Sequence, residues 1–139
     1  MSDPGPIRYL TLEEALLLHL EIMERTGSSP QGLRSEDALS SALNRAASAA
    51  HYLGLDPIGQ AARLATGLSR AQAFVEGNKR TAYAVATIFL DLNGHEFTGD
   101  PIQFAQQLDE LADPSVADQE ADDRFEAWLR GNVHPMATE

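Results

Sequence analysis

The residues best suited to chemistry lie together in one run, Gln-Ala-Phe-Val-Glu-Gly-Asn-Lys-Arg-Thr-Ala, over residues 72–82. The run combines a glycine, an amide, two cations and a carboxylate at the entry to the most apolar helix that the sequence predicts. The first amides of a helix have no partners within the helix and lie at the positive end of its dipole. Such a helix start binds anions, so we predict a phosphate site here.

Each polar residue of this run has a role at such a site. Gly77 lets the backbone bend and approach a ligand closely, and Asn78 can cap the helix. Arg80 can hold two phosphate oxygens with its planar guanidinium, whereas Lys79 acts as a point charge. Glu76 is an anion among cations, and its best use is to hold Mg²⁺, which takes one or two carboxylates together with phosphate oxygens.

The residue types alone leave an alternative open for the same run. In an ordinary helix start, Glu76 would pair with Lys79 or Arg80, and Asn78 would only cap the helix. For Phe74 an aromatic anchor that pins the loop to the core is favoured over a stacking platform for a base.

The elements that must position these residues are helical. Periodic apolar residues and start signals predict six helices, of which the fourth is central. They begin near Thr11, Ser35, Asp56, Asn78, Asp100 and Ser115. In the fifth helix we expect four residues to face inward, namely Ile102, Ala105, Leu108 and Leu111. Only residues 96–98, and less clearly residues 7–9, offer a strand, so we predict an all-α bundle with at most a short strand pair.

Composition and charge exclude several classes of protein. The chain has 139 residues, no cysteine, and 10 basic against 21 acidic residues, a net charge of −11. A chain this acidic repels nucleic acid and anionic membranes. No apolar stretch approaches the roughly 20 residues that span a bilayer, and residues 1–6 lack a secretory signal, so we expect a cytoplasmic protein. The acids of the C-terminal third predict a solvated helix face, with a docking surface for a basic partner as the alternative.

The run resembles a known signature. Its residues Phe-x-Glu-Gly-Asn-Lys-Arg, from Phe74 to Arg80, are similar to the Fic/Doc pattern His-x-Phe-x-(Asp/Glu)-(Gly/Ala)-Asn-(Gly/Lys)-Arg. The lysine form resembles the death-on-curing (Doc) toxins of toxin–antitoxin modules. The resemblance also includes residues 9–14 with His19, residues 32–34, and residues 89–94. It implies a single helical Fic/Doc domain over residues 8–131, with a lead-in at 1–7 and a tail at 132–139.

The resemblance also implies roles for individual residues. Glu76 would hold Mg²⁺ on ATP, and Phe74, Gly77, Asn78, Lys79 and Arg80 would form the nucleotide site. Lys79 stands where AMP-transferring members carry glycine. In Doc toxins this change accompanies transfer of the terminal phosphate to elongation factor Tu. The implied function is therefore a translation-inhibiting kinase that an antitoxin neutralises through a disordered tail folding into a groove.

One residue departs from the signature: Gln72 stands where the family has its catalytic histidine. A carboxamide cannot take a proton from the attacking hydroxyl, so we expect Gln72, Lys79 and Arg80 to form an impaired catalytic set. The intact remainder of the motif favours an engineered substitution over a natural inactive member. His19 is expected to be a buried structural residue, and we do not expect another histidine to replace the base. The alternatives are a Fic-type AMP transferase and a non-catalytic module that binds an antitoxin or another protein.

Overall fold

Six α-helices form the part of the chain that the computed structural model describes, residues 6–27 and 32–137. Residues 1–5 of the predicted lead-in lie outside the described residues. The helices are α1 (Leu12–Arg25), α2 (Glu36–Leu53), α3 (Pro57–Ala71), α4 (Asn78–Leu92), α5 (Pro101–Asp109) and α6 (Asp118–Arg130), and a short 3-10 helix (Glu110–Ala112) follows α5. The prediction of an all-α bundle is confirmed. Within the described ranges, no helix combines the length and the apolar character that crossing a membrane requires.

Polar caps start four of the six helices, α1, α2, α3 and α5, where the sequence predicts them. Thr11 forms the predicted capping box with Glu14: the Thr11 hydroxyl accepts from the Glu14 amide at 3.1 Å, and the Glu14 carboxylate accepts from the Thr11 amide at 2.9 Å. Ser35, Asp56 and Asp100 cap α2, α3 and α5 through their side chains. Each cap satisfies amides that have no partner within the helix.

Helix α3 is the most enclosed helix, although the sequence predicts α4 as the central one. Ten of its residues are buried, against six in α4. It packs against α2, α4 and α6, and its run of alanine and glycine lets those helices approach closely. Helix α4 packs on α3, α1 and α5. Its N-cap residue, Gly77, lies beside Met23 and His19 of α1.

A single antiparallel strand pair is found in the described residues. Strand β1 (His95–Phe97) pairs with β2 (Val133–Pro135), with Phe97 opposite Val133. Residues 7–9 form no strand. Strand β2 lies within the predicted tail, residues 132–139, and its Val133 is buried. Residues 138–139 of that tail lie outside the described residues.

An aromatic cluster closes the bundle around α5. The Phe104 ring lies 5.0–5.9 Å from the rings of Tyr83, Phe97, Phe125 and Trp128. The prediction that Ile102 faces inward is wrong, because its side chain is 67% exposed. Two positions along a helix turn the side chain by about 200°, so burying Phe104 places Ile102 on the outer face.

The acidic C-terminal third is not solvated throughout. Asp122 is 5% exposed and accepts from Arg70 at 2.5 Å and from Arg63 at 3.0 Å. Both arginines lie on α3, so Asp122 ties α6 to the central helix. A buried carboxylate needs such partners to offset its loss of hydration.

A second ion pair joins the C-terminal end of α6 to the N-terminal end of α3. Arg130 donates to both oxygens of Asp56, at 2.8 and 3.0 Å. This hydrogen bonding lowers the pKa of Asp56 from 3.8 to about 2. A lowered folded-state pKa contributes stability that is present above pH 3.8 and lost as the pH falls toward 2.

We therefore expect the Tm of Asp56→Asn to fall less between pH 5 and pH 2 than the Tm of the parent chain does. Asparagine keeps a capping side chain, so the variant removes the titrating group and retains the cap.

The matched control for this measurement is Asp100→Asn. Asp100 also caps a helix, but no arginine of the described residues pairs with it. If the fall of Tm with pH is reduced equally in both variants, the ion pair of Arg130 with Asp56 is not the cause of the reduction.

Candidate functional site

The loop between α3 and α4 begins at a strained residue, Gln72. Its φ of 51° is left-handed, and among the described residues it is the one residue other than glycine with a positive φ. Its side-chain amide donates to the Ser69 carbonyl at 3.0 Å, so the carboxamide folds back onto the end of α3. Backbone strain of this kind is often found at functional sites.

Phe74 pins the loop to the protein interior. It is 2% exposed, its backbone forms a bridge with Leu33, and its ring stacks on His19 with centroids 3.7 Å apart. The anchor interpretation is therefore confirmed. The contact of Phe74 with a nucleotide that the resemblance implies stays a prediction.

Asn78 secures the loop and does not cap the helix. Its side-chain oxygen accepts from the Phe74 amide at 3.0 Å, and its side-chain nitrogen donates to the Phe74 carbonyl at 2.9 Å. The residue at the cap position is Gly77, which makes no side-chain cap. The prediction of Asn78 as the cap is wrong because its carboxamide is used on Phe74. The main-chain amides of residues 78–80 consequently have no acceptor among the described residues.

Both the backbone conformation and the neighbouring side chains require glycine at position 77. Its φ of 82° is left-handed, and a Cβ at this position would lie 3.0 Å from the sulfur of Met23 and 3.5 Å from the His19 ring. The loop therefore rests directly on α1 at Gly77. A side chain here would have to push the loop away from that helix.

The uncapped start of α4 opens into a cavity of about 600 Å³. Glu76 and Arg80 are exposed, and neither forms an ion pair within the described ranges. This geometry disagrees with the alternative in which Glu76 pairs with Lys79 or Arg80. Lys79 instead contacts the Asp109 carboxylate at the end of α5. The cavity is lined by Met23, Gln72, Val75, Glu76, Gly77, Asn78, Lys79 and Arg80.

The donors around this cavity suit a phosphate chain. Free amides, a helix N-terminus and the Arg80 guanidinium all favour negative charge. The described residues contain no cluster of three His, Cys, Asp or Glu side chains that could hold a metal ion by themselves. A lone carboxylate, Glu76, fits Mg²⁺ only when phosphate oxygens supply the other ligands, and this is the usual arrangement for magnesium on a nucleotide.

None of the four histidines lines the cavity. His19 is buried, as predicted, and its Nε2 donates to the Glu76 carbonyl at 2.8 Å. The Nδ1 of His95 lies 2.9 Å from the Asn93 carbonyl, and the His51 ring packs against Tyr52. His134 lies on β2, outside the loop. No imidazole therefore lines the cavity together with Gln72.

An apolar groove adjoins the cavity and shares Lys79 and Arg80 with it. It encloses about 500 Å³ between α1, α4 and the start of α5. The exposed Ile102 forms part of its wall. Its apolar lining is Ile22, Tyr83, Ala84, Pro101, Ile102 and Ala105, with Arg25 and Thr26 at one side.

The contacts that support the loop were not predicted from the sequence. His19 and Met23 lie four residues apart on the buried face of α1, so helical periodicity could have placed them together. Asp109, the partner of Lys79, is 30 residues away along the chain, and no local signal marks it.

Comparison with protein families identifies the family of this chain. No curated protein matches the chain. The model of the Fic/DOC family matches residues 9–90, more than half of the chain, and this range contains α1, the loop and nearly all of α4. The protein therefore belongs to the Fic/DOC family.

Proposed function

We propose that this protein is a Doc-type toxin, an ATP-dependent kinase that modifies a translation factor. Members of the Fic/DOC family generally modify proteins by transferring nucleotide or phosphate groups. The observation that carries the proposal is the uncapped start of α4, which opens into the same cavity as the unpaired Arg80 and Glu76. These groups would bind the phosphate chain of ATP and its Mg²⁺.

The identity of residue 79 favours phosphate transfer over AMP transfer. Lys79 lines the cavity at the first turn of α4, where a glycine would leave open space, and its ammonium group pairs with Asp109. A side chain at this position narrows the cradle, which favours a different placement of the phosphate chain. We therefore rank a kinase above a Fic-type AMP transferase.

The proposed reaction is an in-line displacement at the γ-phosphorus. A hydroxyl oxygen of the target protein forms the new bond to phosphorus, and the bond to the β,γ-bridging oxygen breaks to release ADP. In a form with histidine at position 72, the hydroxyl proton passes to that histidine. Arg80 and the amides of α4 stabilise the charge on the phosphate oxygens.

The present chain would perform this reaction poorly. Gln72 cannot accept a proton, and its carboxamide is turned back to the Ser69 carbonyl. This observation favours a second candidate function, a non-catalytic module that holds an antitoxin or another protein. The two candidates differ in whether nucleotide binding depends on Arg80.

Labelled ATP tests the reaction directly. A Gln72→His variant, incubated with a bacterial extract, should transfer label from the γ-phosphate of ATP and none from the α-phosphate. The expected target is elongation factor Tu, a protein of the cytoplasm. Transfer of α-label would show an AMP transferase instead. If a folded variant transfers neither label, the non-catalytic binding module is the remaining candidate function.

The apolar groove supports a further element of the proposal, an antitoxin segment as its occupant. Its floor is apolar, and its edge carries Arg80, which forms no ion pair within the described ranges, beside Arg25 and Lys79, which pair with Glu21 and Asp109. A segment with an apolar face and an acidic edge would match this distribution.

This placement predicts the effect of changing Ile102. Because Ile102 is exposed, Ile102→Glu should leave the fold intact and weaken binding of the antitoxin peptide about tenfold. Fluorescence anisotropy of a labelled peptide measures the affinity. Leu53→Glu, at another exposed apolar position outside the groove, is the control, and an equal loss in both variants would argue against this groove.

A further inference from the structure

His19 lies against the loop that leads to α4 at three of its residues. Its ring stacks on Phe74 with an angle of 7° between the planes. Its Nε2 donates to the Glu76 carbonyl at 2.8 Å. Its ring also lies 3.5 Å from the place where a Cβ of residue 77 would stand. One buried side chain on α1 therefore supports the loop at residues 74, 76 and 77.

The hydrogen bond to Glu76 sets the direction of the next amide. In a trans peptide the carbonyl and the N–H point in opposite directions, and the described residues contain no cis peptide. Since the Glu76 carbonyl faces the His19 ring, the Gly77 N–H points away from α1. Gly77 lines the cavity, and its N–H has no acceptor among the described residues.

These contacts point to a role beyond filling space. We propose that His19 is a positioning residue that holds the Glu76–Gly77 peptide so that the amides entering α4 are arranged to bind phosphate. The inference rests on the proposed nucleotide function of this cavity. His19 acts through the main chain of Glu76 and through Phe74, and does not itself contact the ligand.

Histidine combines two properties that this position uses. A phenylalanine would keep a flat ring on Phe74 but would leave the Glu76 carbonyl without its donor. A glutamine carries an N–H at a similar reach but has no ring to stack. The two substitutions therefore separate packing from positioning.

The test compares His19→Phe and His19→Gln in the full chain. Calorimetry gives the affinity for ATP with Mg²⁺, amide hydrogen exchange reports on residues 74–80, and thermal unfolding gives the stability. We expect His19→Phe to lower the ATP affinity about tenfold and to speed exchange in the loop. His19→Gln should retain more affinity than His19→Phe even where it is the less stable of the two.

A stability control separates this role from a general loss of packing. Phe125→Leu removes part of a buried ring that packs on Phe104 and Trp128, away from the loop. It should lower the Tm without changing ATP affinity. If His19→Phe does not fold, His19→Leu, which also lacks a donor, takes its place.

The remaining outcomes count against the proposal. The positioning role is wrong if the ATP affinity follows Tm across all variants. It is also wrong if amide hydrogen exchange of the loop is unchanged in His19→Phe. An unmodified chain that shows no saturable ATP binding would refute the proposed function instead. The exchange comparison would then still decide whether His19 holds the loop.

Discussion

Gln72→His is expected to raise the rate of phosphate transfer by about 10²- to 10⁴-fold, the range that a positioned general base supplies. The residue lies at the mouth of the cavity, at the end of α3, and the rest of the loop is in place around it. Histidine tolerates the left-handed backbone found at Gln72 better than most residues do, so the substitution should not disturb the fold. Single-turnover assays with labelled ATP would measure the change.

The pH profile adds a second measurement of the same variant. A histidine base should make the rate rise through an ordinary histidine pKa of about 6.5, and the parent chain should show no such step. Gln72→Asn is the matched control, because asparagine also accepts a left-handed backbone but has no basic nitrogen. If the histidine form binds ATP and is no faster than the asparagine form, the catalytic proposal fails.

Arg80→Ala should lower the affinity for ATP by about 10- to 100-fold, the loss expected when a charged hydrogen bond to phosphate is removed. Arg80 is exposed, lines the cavity and has no carboxylate partner among the described residues, so its removal should hardly change Tm. Calorimetry on the parent chain measures this effect without any need for turnover.

Two further variants define what Arg80 contributes. Arg80→Lys keeps the charge and loses the planar fork, so its affinity should fall between the parent and the alanine variant. Arg124→Ala removes an exposed arginine of α6 that pairs with Glu120, and it should bind ATP as the parent does. Unchanged binding in Arg80→Ala would favour a non-catalytic module over an enzyme.

The sequence by itself determined the helices and the location of the candidate site. Thr11, Ser35, Asp56 and Asp100 are recognisable caps, because the hydrogen bonds of a cap join residues only two or three positions apart. The run from Gln72 to Ala82 was likewise identifiable, since its residues are contiguous and their chemistry is unusual for a helix start.

The tertiary structure decided what those residues contact. Asn78 could cap α4 or hold Phe74, and only the packed loop shows that its carboxamide holds Phe74. Lys79 could face Glu76 or an anion, yet it contacts Asp109 on another helix. The support of the loop by His19 joins residues 57 positions apart. Contacts of this kind depend on how helices pack, and local sequence patterns carry no information about which distant side chain will meet them.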